Sequence, residues 1–219
     1  MSKMRDESVK CPDCNESMVF VVWDSLNADL SPAAKEQLLD GTLFSVTCAK
    51  CQKKSQVHYP LLYHDMKNKL MIQLALSDED AEVFKEITSS KGDDPAASII
   101  ESMKDYKYRL VFDSDDLREK AMIFSHGFDD RVIEIMKLLA SLVFEDKHPG
   151  STVTTAFFYD KPEYMIQMFI KGGGIAEHTS IMSMYDDFKN QYQAMIEEKS
   201  KNRIVIDREW AESVMSNIS

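Results

Sequence analysis

Two cysteine pairs are the residues in this sequence whose type and spacing can do chemistry: Cys11-Pro12-Asp13-Cys14 and Cys48-Ala49-Lys50-Cys51. Two intervening residues let one tight turn present both thiolates to a single ion while its amides point at the sulfurs. Two such turns supply four thiolates, the donor set of a tetrahedral structural Zn(II) site. Four sulfurs leave no open position for water, so the ion expected here, one per chain, is structural and brings no hydrolytic chemistry. The competing chemistry is redox, because Cys-Pro-x-Cys also occurs where a helix N-terminus lowers the pKa of the first thiol. Here the first pair runs instead into Ser17-Met-Val-Phe-Val-Val-Trp23, a strand pattern, which favours the metal. Asn15 suits a left-handed turn position and Pro12 presets its own φ.

The elements that must position these pairs are short strands and turns. Residues 17–23 and 43–47 read as β-rich, and residues 69–76 alternate like a half-buried strand. Between the first two strands a short helix is expected at 32–40. Ser31 would be its N-cap, Pro32 its first residue and Gly41 its left-handed stop. This insert accounts for the 33 residues between the two pairs. After residue 76 the pattern turns helical. Helices are expected at 78–88 behind the N-cap Ser77, at 95–106, from Asp113 or Ser114 to 124 with Gly127 as terminator, at 129–144, at 184–200 and at 208–215. In the fifth of these, counting the insert first, Val132, Ile135, Met136, Leu139, Leu142 and Val143 recur at helical spacing. Strands are expected at 108–112 and 203–206, and a β-hairpin at 152–159 and 164–171 with its turn at 160–163.

The fold class is therefore α+β: an N-terminal zinc-ribbon-like β domain with a helical insert, residues 1–76, followed by an acidic α+β body with helices and a β-hairpin, residues 77–219. Charge divides at the same place. The chain of 219 residues has 37 Asp+Glu against 26 Lys+Arg, a formal net charge of -11. Residues 1–76 hold nine of each sign, so the whole imbalance lies in residues 77–219. Such a balance excludes a broad polyanion binder, whose affinity needs a basic excess. The first residues lack the apolar core of a secretory signal, and the apolar runs 18–23 and 138–144 are far shorter than the ~20 residues of a bilayer span. A cytoplasmic protein is expected, with no membrane association.

Other features have plainer explanations. Tyr63-His64-Asp65 sets an imidazole beside a carboxylate, but adjacent strand residues face opposite ways, and Asp65-Met-Lys-Asn68 reads as a hairpin turn. His58 could ligate metal, yet four cysteines already saturate the site. Gly172-Gly-Gly174 lacks the Lys-Ser/Thr of a phosphate loop and reads as a flexible connection. Lys50, Lys53 and Lys54 form a small basic rim by the second pair. Asp113, Asp115 and Asp116 lack the glycine and terminal glutamate of a calcium loop and read as capping. Met182, Met184 and Met195 read as core packing.

The sequence resembles the bacterial and archaeal CpXC family, named for paired Cys-Pro-x-Cys motifs. The resemblance rests on Cys11-Pro-Asp-Cys14, Val22-Trp-Asp-Ser-Leu-Asn27, Leu38-Leu-Asp-Gly41 and Tyr59-Pro-Leu-Leu-Tyr-His-Asp65. It continues through Arg118-Glu-Lys-Ala-Met-Ile-Phe124 and Asp129-Asp-Arg-Val-Ile-Glu-Ile-Met-Lys137, about the first 140 residues. The second pair departs from the motif, with Ala49 in place of proline; ligand spacing is unchanged. The resemblance implies the metal site at Cys11, Cys14, Cys48 and Cys51 and the architecture, but no activity. Three classes of function follow. The expected one is a non-enzymatic zinc protein acting through a protein partner. The others are a regulator touching nucleic acid through the lysine rim, and an enzyme drawing on His64, Asp65, His126 or His178.

Overall fold

The computed structural model describes residues 2–90, 97–160, 163–178 and 182–216. The chain forms two compact units, Met1–Arg118 and Glu119–Ser219. The expected boundary at residue 76 falls inside the first of them, because a strand beyond it joins the same sheet.

In the first unit, β1 (Lys3–Lys10) and β2 (Ser17–Asn27) form an antiparallel hairpin, followed by α1 (Pro32–Asp40). A second hairpin, β3 (Ser45–Thr47) and β4 (Lys54–Gln56), precedes β5 (Leu61–Asp65) and β6 (Leu70–Leu74). Then come α2 (Asp78–Ser89), α3 (Ala97–Ser102) and β7 (Lys107–Val111), and α4 (Ser114–Ser125) carries the division between units. Five strands make one sheet in the order β1-β2-β5-β6-β7, with parallel pairing at β2/β5 and β6/β7. Register sorts its side chains cleanly. Leu61, Tyr63, Leu70, Ile72 and Leu74 share one face and are at most 1% exposed, whereas Leu62, Met71, Gln73 and Tyr108 on the other face are half-buried.

The helical insert starts at Pro32 and stops at Gly41, which takes φ 78 and sends its N–H back to Leu38. Glycine, with no Cβ, enters that region at least cost. Ser31 does not cap through its side chain as expected; its Oγ meets Ser2 Oγ at 2.8 Å. Ser77 does cap α2, its Oγ accepting from the Asp80 N–H and donating to Asp80 Oδ2 at 2.8 Å. The expected helix at 95–106 is shorter, Ala97–Ser102, with residues 95 and 96 outside the described ones.

The second unit holds α5 (Asp130–Lys147), a three-stranded sheet of β8 (Val153–Tyr159), β9 (Met165–Ile170) and β10 (Gly174–His178), then α6 (Met182–Lys199) and α7 (Arg208–Met215). α5 packs on α6, α7 and β8. The triple glycine is no loose connection: Gly172 and Gly173, at φ 98 and 100, turn β9 into β10, a strand the sequence reading lacked. Of the expected 160–163 turn, Lys161 and Pro162 lie outside the described residues. Residues 203–206 form no strand. Leu142 and Val143 are about half exposed, at 47% and 48%, so the buried stripe of α5 is carried by its first half. Met184 is exposed rather than core, and Tyr185, Tyr192 and Ile196 form the buried side of α6.

Candidate metal centre

Each cysteine pair sits in the turn of a hairpin, and the two turns repeat the same backbone pattern. At the first, Cys11 N–H donates to Glu16 O at 2.8 Å and Asn15 N–H to Cys11 O at 2.9 Å. At the second, Cys48 N–H donates to Lys53 O and Gln52 N–H to Cys48 O, both at 2.9 Å. The residue after each second cysteine, Asn15 and Gln52, takes φ 60. Asparagine advertises that conformation and glutamine does not, so only the first was legible in the sequence.

These turns bring all four sulfurs within 4.8 Å of one another. Cys11 Sγ lies 3.6 Å from Cys51 Sγ, and Cys14 Sγ 3.6 Å from Cys48 Sγ. A tetrahedron with metal–sulfur bonds of about 2.3 Å has edges of about 3.8 Å, close to these two separations, so the donor set suits one tetrahedral ion. The four thiols are free, and 3.6 Å is far beyond the ~2.05 Å of a disulfide. Cys11 and Cys48 are buried; Cys14 and Cys51 are half-buried.

Backbone amides tune the sulfurs. The Cys51 N–H, then the Lys50 N–H, point at Cys48 Sγ and draw its pKa down to about 7 against the effect of burial. The Glu16 N–H supports a Cys14 thiolate too, but burial and the neighbouring thiols outweigh it and push that thiol up to about 12. Cys51 also rises, since burial and neighbouring thiols overcome the Lys53 N–H. Four thiolates packed this closely repel one another, which a divalent cation would relieve. Neither pair stands at a helix N-terminus, the setting of dithiol enzymes.

The lysine rim is not a free basic surface. Lys50 Nζ pairs with Glu16 at 2.9 Å and Lys53 Nζ with Asp13 at 2.7 Å, so both lysines of the second turn are held by carboxylates of the first. The Asp13 hydrogen bond and charge also raise the Lys53 pKa. Lys54 is exposed on β4. His58 is exposed after β4 and does not belong to the sulfur cluster.

His64 and Asp65 face opposite sides of β5. His64 approaches Asn27 Nδ2 at 3.4 Å and Tyr106 Oη at 3.3 Å, and burial lowers its pKa. Burial pushes the Asp65 carboxyl up, but the Asn68 N–H and Lys35, 3.0 Å away, outweigh it and hold the pKa below the usual carboxylate value. Asp65 thus closes the turn, as expected. In the second unit His126 Nε2 meets Asp160 at 2.8 Å and its Nδ1 meets Tyr164 Oη at 3.2 Å. His178 ends β10. Asp113 caps by accepting from the Asp115 N–H at 2.7 Å.

One group escaped the sequence reading. Glu119, Lys120, Asp130, Glu134 and Lys137 are all buried inside the second unit. Glu134 Oε1 takes both lysines, Lys120 at 3.0 Å and Lys137 at 2.9 Å. Lys137 reaches Glu119 at 2.8 Å, and Glu119 accepts the Phe158 N–H at 2.5 Å. Lys120 also donates to Ile206 O at 2.6 Å and lies 3.3 Å from Asp130. The available signal was Glu134 and Lys137 one turn apart on an otherwise apolar helical face.

Comparison with known proteins gives one match. No curated protein and no solved structure matches the chain. The sequence pattern of the family described as CpXC protein matches residues 9–137, more than half of the chain, and contains all four cysteines and all five members of the buried charge group. With that span matched and the four sulfurs gathered at two equivalent turns, the chain belongs to the CpXC protein family.

Proposed function

We propose that this chain is a non-enzymatic, cytoplasmic zinc-binding protein, in which one Zn(II) per chain at Cys11, Cys14, Cys48 and Cys51 is structural, and which acts by presenting its surfaces to a protein partner. The observation that carries this reading is the gathering of four sulfurs within 4.8 Å at two matched turns whose amides point at them. A four-thiolate site would tie the β1/β2 hairpin to a second hairpin with little core of its own, whose strands β3 and β4 are three residues each. Zinc would cross-link them and leave no coordination position for substrate. With four thiolates and Zn(II) the formal charge of the chain moves from -11 to about -13. The acidic residues of 77–219 suit a basic partner.

Contact with nucleic acid is the weaker reading, because Lys50 and Lys53 are already paired with Glu16 and Asp13. Among the described residues no helix is long and apolar enough to cross a membrane. The test is metal analysis of protein purified without added zinc, beside Cys11→Ser and Cys48→Ser. One zinc per chain that both variants lose, with a lowered melting temperature, supports the reading. Metal-free protein with unchanged melting refutes it.

A further inference from the structure

Across β5, β6 and β7 the two faces of the sheet are finished differently. Leu61, Tyr63, Leu70, Ile72 and Leu74 bury one. Over the other, residues of α2 and α3 and of the sheet line a cavity of ≈ 350 Å³. Its floor is Leu62, Met71 and Tyr108 from β5, β6 and β7. Val83 and Ile87 of α2, Ile99 of α3 and Met103 just after it form its walls, and Val83, Ile87 and Ile99 remain 45–59% exposed. A cavity of this size falls at the lower end of the range of small-ligand sites, which combine an apolar lining with a few placed polar groups.

The polar groups around this cavity differ in whether they are already engaged. Tyr108 Oη donates to Met103 O at 3.3 Å, Thr88 Oγ1 to Phe84 O at 2.9 Å and Gln73 Nε2 to Leu74 O at 2.7 Å. Asp80 is taken by the cap of α2. Glu79 is exposed and has no ion-pair or hydrogen-bond partner among the described residues. The charged groups lining the cavity are thus both carboxylates, and one is uncommitted.

We propose that this cavity binds a small amphipathic cation, an alkyl or aryl amine whose apolar part lies against Leu62, Met71 and Tyr108 while its ammonium group meets Glu79. The apolar lining supplies affinity without regard to charge. The carboxylate supplies the sign, favouring a cation over a neutral or anionic molecule of the same shape. The site is separate from the cysteine cluster and does not depend on the zinc reading.

Matched eight-carbon probes test it: n-octylammonium, n-octanol and n-octanoate, each titrated below its aggregation concentration into the full chain with methyl NMR as the readout. Shifts should concentrate on Val83, Ile87, Ile99, Ile100 and Met103, with affinity in the order ammonium, alcohol, carboxylate. Glu79→Gln should weaken octylammonium about fivefold, the scale of one exposed charge pair, and leave octanol unchanged. Glu101→Gln removes the same charge from α3 outside the lining and should change neither; Ile87→Asn, which removes apolar lining without adding charge, should weaken octylammonium and octanol. Equal affinity for all three probes, shifts spread over other surfaces, or an equal response to Glu79→Gln and Glu101→Gln would overturn the proposal.

Discussion

Replacing Lys137 by Met tests whether the buried charge group of the second unit is balanced as its geometry indicates. The ammonium of Lys137 lies 2.8 Å from Glu119 and 2.9 Å from Glu134, all three groups buried. At an effective dielectric constant of about 20, each contact is worth about 6 kcal/mol of Coulomb attraction, most of it offset by desolvation. Removal of the lysine leaves three carboxylates with Lys120 alone, and breaking a buried pair in this way costs about 3–5 kcal/mol. Burial already raises the Glu119 pKa, with Lys137 as the chief opposing charge. Without Lys137 that pKa rises further, so Glu119 becomes a carboxyl that holds its proton more tightly folded than unfolded. The native state then gains stability as pH falls from the raised folded value toward the unfolded value of about 4.3. Urea unfolding followed by circular dichroism should show the Lys137→Met deficit shrinking between pH 7 and pH 5. The double variant Lys137→Met/Glu119→Gln removes the stranded charge and should recover about 1–3 kcal/mol relative to additivity. An additive double variant, or a deficit independent of pH, would refute the account of paired charges.

Three further outcomes follow from the same geometry. Cys48→Ser should lower zinc affinity by more than the ~100-fold typical of losing an outer partner, read by competition with a chelating dye. Gly41→Ala should cost about 1–2 kcal/mol in urea unfolding, because Gly41 sits at φ 78 and an added Cβ would come within 3.2 Å of the Arg118 guanidinium. His64 should titrate below 6.5 by NMR, since burial disfavours its charged form. Its folded pKa is depressed, so the stability it contributes is present above 6.5 and lost as pH falls through the depressed value; a midpoint at or above 6.5 would contradict the packing against Asn27 and Tyr106.

Much of the scaffold was legible because its signals are local. Pro32 and Gly41 bound α1, Ser77 caps α2, and the Asp65–Asn68 turn closes on itself. β1 was invisible: Lys3-Met-Arg-Asp-Glu-Ser-Val-Lys10 is largely polar and mostly exposed, and it is a strand because β2 pairs with it along its length. The reverse error fell at residues 203–206, where a β-rich run finds no partner strand and instead offers Ile206 O to Lys120. Strand propensity reports fit to a neighbour, and the neighbour is set by topology. Met184 and Val143 were misplaced for a related reason, since apolar spacing marks a helix face but tertiary packing decides which part of it is covered.

The sequence alone determined the four sulfurs and the family, because two cysteines three apart constrain a turn whatever surrounds it, and the motif's residues are themselves the signature. The tertiary structure decided what depends on distant segments meeting. It drew the two cysteine turns together to sulfur contacts of 3.6 Å, paired Lys50 and Lys53 of the rim with Glu16 and Asp13, buried five charged side chains inside the second unit, and left a cavity over one sheet face. A composition count sees the same lysines and carboxylates in every arrangement; their energies depend on burial and on separations of about 3 Å, which only the folded chain fixes.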